Sequence, residues 1–142
     1  MGTRHVLVVD DEKNTRLALS LVFRKSGCLV TALADGMEAL RKVEDLIEEG
    51  SPLDLLVIDI QIPGMTGLEL VEALEKRDIQ LPILLISGYR IREMVERATR
   101  KACIDYLEKP FEPRELLARV ETLLEKFALR RLAKEMDILQ KC

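Results

Sequence analysis

Apolar and polar positions alternate between two periods from one end of the chain to the other. Val6-Leu7-Val8-Val9 is an unbroken apolar run ending in Asp10-Asp11. Such a run reads as a strand buried on both faces, the kind found in parallel sheets. Leu17, Ala18, Leu21 and Val22 then recur at helical spacing, and Gly27 stops that helix. Cys28 to Leu33 reads as a second strand. Asp35-Gly36 turns into a second helix with Ala39, Leu40, Val43 and Ile47 facing inward, broken by Gly50-Ser51-Pro52. The third strand, Leu55-Leu56-Val57-Ile58, runs straight into Asp59, with Pro63, Gly64 and Gly67 close behind.

Gly67 opens a third helix carrying Leu70, Val71 and Leu74, which ends before Pro82. Ile83-Leu84-Leu85-Ile86 is a fourth strand closed by Ser87-Gly88. A polar fourth helix over 91–101 turns Met94, Val95 and Ala98 inward. Ile104 to Leu107 forms a short fifth strand, followed by Lys109-Pro110-Phe111. Glu112-Pro113 starts the last helix, with proline in the first turn, where a missing N–H costs nothing. Its inward stripe is Leu116, Val120, Leu123 and Phe127. Five strands alternating with helices predict an α/β fold: a doubly wound five-stranded parallel sheet with helices on both faces.

Past Phe127 the pattern changes. Leu129, Leu132, Met136 and Leu139 form a second stripe spaced three, four and three, that of a coiled-coil seam. The step from Phe127 to Leu129 turns about 200° at 3.6 residues per turn, so this stripe faces away from the sheet. The chain therefore divides into a domain over 1–127 and a helical extension over 128–142. The extension is too short to be a stable helix alone. It continues the last helix and is expected to meet the same helix of a second subunit in a homodimer, or to serve as a linker.

Composition narrows the class. With 142 residues, 33% charged and 48% hydrophobic, the chain is long enough for one domain with a core of its own. A net charge of −3 offers no basic field, so no direct nucleic-acid contact is expected. No apolar run approaches membrane-spanning length and no signal-peptide pattern opens the chain, which places it in the cytoplasm with no membrane partner. Cys28, Cys103 and Cys142 lack metal-ligand spacing; the first two read as reduced core residues. His5 reads as a surface residue at a strand start.

In a parallel sheet the carboxyl ends of all strands share one edge, where ligands bind. That edge collects Asp10, Asp11, Asp59, Ser87 and Lys109. Each has a bland reading: Asp11 a helix cap, Asp59 a turn former, Ser87 a loop residue, Lys109 a solvated lysine. Their joint arrival at four strand ends favours chemistry instead. Three carboxylates repel one another unless a cation neutralises them. Mg²⁺ suits oxygen ligands and keeps several waters. An ammonium and a hydroxyl opposite would meet the oxygens of a phosphoryl group, which points to phosphoryl transfer to an aspartate.

These motifs resemble the receiver domain of a two-component response regulator. The resemblance runs from about Arg4 to Phe127. It rests on Asp10-Asp11-Glu12, on Asp59 through Gly67, on Ser87-Gly88 and on Tyr106-Leu107-Glu108-Lys109-Pro110-Phe111. It implies a flavodoxin-like sheet of order 2-1-3-4-5, with Asp59 as phosphoacceptor for a sensor histidine kinase. It further implies Mg²⁺ on Asp10, Asp11, Asp59 and the Gln61 carbonyl, with Ser87 and Lys109 on the phosphoryl group. Tyr106 resembles the family's switch aromatic, though it also reads as a half-buried strand residue. Such a domain is a regulatory phosphoacceptor, not an enzyme acting on a separate substrate, and its output face would run from about Arg90 to Phe127. Gln61 and Tyr89 occupy positions that tune phosphoryl lifetime in the family. Ala102 stands where many receivers have glycine, and Ile62 where methionine is common; both touch packing rather than chemistry. The helical extension resembles the signalling helix joining receivers to an effector domain, notably in enhancer-binding activators of the nitrogen-regulator class.

A rival reading is a phosphatase working through an aspartyl-phosphate. Hydrolases of the haloacid-dehalogenase type place Asp-x-Asp after the first strand and carry a cap. Here the strand ends Asp-Asp-Glu, and no segment remains for a cap. A third reading, a binding module that has lost phosphorylation, sits poorly with the intact residue set.

Overall fold

Val6, Leu7, Val8 and Val9 are each at most 2% exposed, as an apolar run between two covered faces requires. They belong to β1 (His5–Val9), the second of five parallel strands. The others are β2 (Leu29–Leu33), β3 (Leu55–Asp59), β4 (Ile83–Ser87) and β5 (Ile104–Glu108), and the spatial order is β2-β1-β3-β4-β5. The computed structural model describes residues 3–51, 53–88 and 104–141, with side chains through 138. The polar helix expected over 91–101, together with Tyr89, Ala102, Cys103 and the Leu139 side chain, lies outside the described residues.

Three helices separate the first four strands: α1 (Lys13–Lys25), α2 (Gly36–Glu48) and α3 (Gly67–Lys76). A C-terminal helix, Pro113–Lys141, follows β5. The period of two along the strands builds two cores. Leu7, Val9, Leu56, Ile58, Ile83 and Leu85 pack on one face with α2 and α3. Val6, Val8, Leu55, Val57, Leu84 and Ile86 pack on the other with α1 and the C-terminal helix. No helix among the described residues is long and apolar enough to cross a membrane.

Local chemistry fixes where the helices begin. The Asp35 carboxylate accepts the N–H groups of Met37 and Glu38 and caps α2. Thr66 and Glu69 form a reciprocal capping box at α3.

Two helix faces differ from the pattern. In α1, Leu19, Ser20 and Phe23 are buried, whereas Leu17 and Leu21 are both 54% exposed and Ala18 is exposed as well. Two apolar sets share helical spacing there, and the set holding the larger Phe23 turns inward. Burying Ser20 is tolerated because its hydroxyl donates to the Arg16 carbonyl at 2.7 Å. In α2, Leu46 is buried and Ile47 is exposed, since the stripe steps by three rather than four after Val43.

Leu116, Val120 and Leu123 of the C-terminal helix are buried and Phe127 is half-buried, as the pattern predicts. Beyond them Leu129, Leu132, Met136 and Ile138 are all exposed. On another face, the Lys134 ammonium donates to Gln80 Oε1 at 3.1 Å, and the Arg131 guanidinium lies 5.7 Å from the Phe127 ring centroid. His5 is half-buried rather than on the surface: its ring Nε2 is 2.8 Å from Thr31 Oγ1 and its N–H donates to Asp54. Cys28 is a free, half-buried thiol just before β2, and burial pushes its pKa up.

Candidate functional site

Asp10, the residue after β1, is 1% exposed and almost every polar atom it carries is engaged. Its N–H donates to the Leu33 carbonyl at 3.1 Å, extending the ladder with β2 by one bond. Its Oδ1 accepts the Glu12 N–H at 2.9 Å, and its carbonyl accepts Arg16 Nη1 at 2.9 Å. Oδ2 is buried and, among the described residues, accepts no hydrogen bond, facing only the Lys109 ammonium 3.5 Å away.

Asp59 closes β3, opposite Ile86 of β4, and is 8% exposed. Gln61 folds its N–H back onto Asp59 Oδ1 at 2.9 Å. Ser87 closes β4 and is buried. Lys109 follows β5, its N–H donating to the Ser87 carbonyl at 2.7 Å. Its ammonium then reaches back across the strand ends to Asp59 Oδ2 at 2.7 Å and lies 3.5 Å from Asp10 Oδ2.

One ammonium thus faces two buried carboxylates. Burial pushes the Asp10 carboxyl above its ordinary range, outweighing the Glu12 N–H and the Lys109 charge. Burial alone would lower Lys109, but the hydrogen bond to Asp59 and the Asp10 charge overcome it and hold the ammonium above its usual value.

The structure brings Asp10, Asp59 and Lys109 into direct contact and ties Ser87 to them through the Lys109 backbone. Asp11 is exposed at the mouth, and the Gln61 side chain is exposed too. Tyr106 is half-buried against the α2/α3 core, and its carbonyl faces Arg119 Nη1 of the C-terminal helix at 3.4 Å. Two contributors carried no signal in the chain pattern. Arg16 is one helical basic residue among several. Gly67 matters because a Cβ there would stand 2.9 Å from Ile60 Cα and 3.0 Å from the Asp59 carbonyl. The start of α3 therefore packs directly on the backbone that carries Asp59.

A hard divalent cation fits this donor set. Asp10 Oδ2, buried with no hydrogen bond among the described residues and only a 3.5 Å ion pair with Lys109, is an oxygen that a cation would satisfy. Among the described residues no three His, Cys, Asp or Glu side chains gather into an all-protein cage. Asp10 and Asp59 do meet at this edge, both within reach of the Lys109 ammonium, and Mg²⁺ is commonly held by one or two carboxylates while keeping several waters.

The model of the response regulator receiver domain matches residues 6–121. The chain belongs to that family. It is 32% identical over 133 residues to the alkaline phosphatase synthesis transcriptional regulatory protein PhoP of Bacillus subtilis, covering 94% of this chain and 53% of that protein. It is 37% identical over 123 residues to the protein PetR of Rhodobacter capsulatus, covering 86% of this chain and 49% of PetR. The chain thus spans about half the length of these curated relatives. Among solved structures, the Francisella response regulator 1452 receiver domain matches with a TM-score of 0.74 at 32% identity, covering 87% of this chain and 98% of that one. NtrX from Brucella abortus matches with a TM-score of 0.81 at 29% identity, covering 95% of this chain and 30% of NtrX.

Proposed function

We propose that this receiver domain is a signalling switch set by phosphorylation of Asp59. One observation carries the reading: the Lys109 ammonium rests 2.7 Å from Asp59 Oδ2 and 3.5 Å from the buried Oδ2 of Asp10. A carboxylate oxygen of Asp59 attacks the phosphorus of a phosphohistidine on a sensor kinase, or of a small acyl phosphate. The P–O bond forms as the bond to the donor breaks, and the donor leaves with that electron pair. Gln61 N–H holds one carboxylate oxygen of Asp59 in place during the attack. Lys109 moves its ammonium from the carboxylate to the new phosphoryl oxygens, and the Ser87 hydroxyl closes on them from β4. Asp10, Asp11, Asp59 and the Gln61 carbonyl would hold Mg²⁺, and that ion would supply positive charge against the negative charge of the transferring group.

Because Lys109 and Ser87 share a backbone hydrogen bond, drawing both inward shifts the ends of β4 and β5 together. Tyr106 and the C-terminal helix, linked by Arg119, lie next in line. The output face runs from residue 90 through β5 and the C-terminal helix. Its product is a change in binding to an effector domain or downstream protein, with no direct nucleic-acid contact by this chain. The exposed stripe of Leu129, Leu132 and Met136 favours a homodimer through the extension, and the domain works in the cytoplasm. The division into 1–127 and 128–142 follows the same change of face after Phe127.

The test is phosphorylation with acetyl phosphate and Mg²⁺, read by intact mass. The expected result is a single added phosphoryl group that disappears in Asp59→Asn and in EDTA. Equal labelling of Asp59→Asn would move the acceptor elsewhere.

A further inference from the structure

We propose that Arg16 is a positioning residue for the acidic pair, fixing the Asp10–Asp11 turn through the Asp10 carbonyl and so setting how tightly it holds a divalent cation. The inference rests on the reading of Asp10 and Asp11 as cation ligands. Arg16 sits in the first turns of α1 and points its side chain back over the helix start, Nη1 donating to the Asp10 carbonyl at 2.9 Å. The turn is held on every other side as well. The Asp10 N–H is tied to Leu33, Oδ1 to the Glu12 N–H, and the Arg16 N–H returns to the Glu12 carbonyl at 2.9 Å. The Arg16 carbonyl in turn receives the buried Ser20 hydroxyl, which anchors this part of α1 to the core.

The choice of acceptor is informative. A guanidinium this close to two consecutive aspartates would ordinarily take a carboxylate in a forked pair. Arg16 takes the backbone carbonyl instead, and leaves Oδ2 of Asp10 to the Lys109 ammonium 3.5 Å away. The cation thereby stiffens the turn without occupying the oxygens a metal needs. Lys109 does the opposite, since its ammonium lies against both carboxylates and must yield to a bound cation. Positioning and plain electrostatics then predict opposite signs. As a mere positive charge, Arg16 repels Mg²⁺ and its removal tightens binding. As a clamp on the turn, its removal loosens binding.

The experiment titrates Mg²⁺ into the full chain, following backbone amide shifts at 10–12, for wild type, Arg16→Met and Arg16→Lys. Arg16→Met is expected to weaken Mg²⁺ about tenfold, the usual scale for a group supporting a metal ligand. Lysine, whose ammonium still donates to a carbonyl, should recover most of that loss. Thermal midpoints in EDTA keep folding separate from binding, and Arg16→Gln replaces the Met variant if that one does not fold. A neutral variant that binds Mg²⁺ as tightly as wild type or tighter overturns the assignment of Arg16. So does a loss that lysine leaves unrescued. Wild-type protein that binds no Mg²⁺ at all overturns the reading of the acidic pair itself.

Discussion

The backbone N–H of Lys109 donates to the carbonyl of Ser87 at 2.7 Å, so the ammonium and the hydroxyl of the site ride on one hydrogen-bonded pair of strand ends. Neighbouring register pairs, Ser87 with Glu108 and Ile86 with Leu107, carry any shift into β5. Lys109→Arg tests this coupling, because a guanidinium is larger and its donors are splayed in a plane. With beryllofluoride and Mg²⁺, amide shift changes at Ser87 and Tyr106 should fall to less than half of wild type. Undiminished changes would separate the lysine from the switch.

Asp10 should cost stability while it serves the site. Its carboxyl is harder to ionise in the folded chain than in the unfolded one, because burial raises it from 3.8. An acid shifted upward penalises the fold at pH above its folded value, and the penalty fades as pH falls through that value toward the unfolded one. Asp10→Asn is therefore expected to raise the melting midpoint of the metal-free chain at pH 7. The gain should shrink as pH drops toward 4, while Mg²⁺ affinity falls at least tenfold. A lower midpoint at pH 7 would show that the buried Asp10 carboxylate is no burden.

Gly67→Ala should damage fold and site together. The new methyl would press on the Ile60 and Asp59 backbone, which cannot swing aside as a flexible side chain would. The expected loss is about 2 kcal/mol, within the range of core overpacking, with slower uptake of phosphoryl groups by Asp59. Gly88→Ala, where a Cβ meets nothing within 4 Å among the described residues, should stay within about 0.5 kcal/mol of wild type. Equal effects at the two glycines would refute the packing argument.

The strands and the acidic edge were legible in the chain because each rests on a local signal. Four apolar residues running into an acid mark both a buried strand and its carboxyl end, as at Val57-Ile58-Asp59. The face of α1 was not legible, because Leu17 with Leu21 and Leu19 with Phe23 fit a helix equally well. Only the position of the helix between the sheet and its C-terminal neighbour decides between them. Arg16 and Gly67 were hidden for another reason. Both act on backbone atoms, one on a carbonyl and one by close approach, and a backbone atom leaves no residue type to read.

The extension offers the last prediction. The C-terminal helix runs 29 residues, about 43 Å at 1.5 Å per residue, while its buried stripe stops at Leu123 with Phe127 half-covered. Phe127, Arg130, Arg131 and Lys134 line the side next to Gln80 and Asp78 at the corner between α3 and β4. Leu129, Leu132 and Met136 take a different side, each at least 53% exposed. A helix that packs by one face and carries a regular apolar row on another needs a second surface for that row. The same row on another copy meets that need in register about a two-fold axis. Sedimentation should give about twice the 16.2 kDa chain mass at high micromolar concentration with beryllofluoride. A chain ending at Phe127, and the full chain with Leu132→Lys, should sediment as monomers, since one charge in the row removes its central contact. If the full chain stays monomeric with and without beryllofluoride, the row serves another surface and the dimer is wrong.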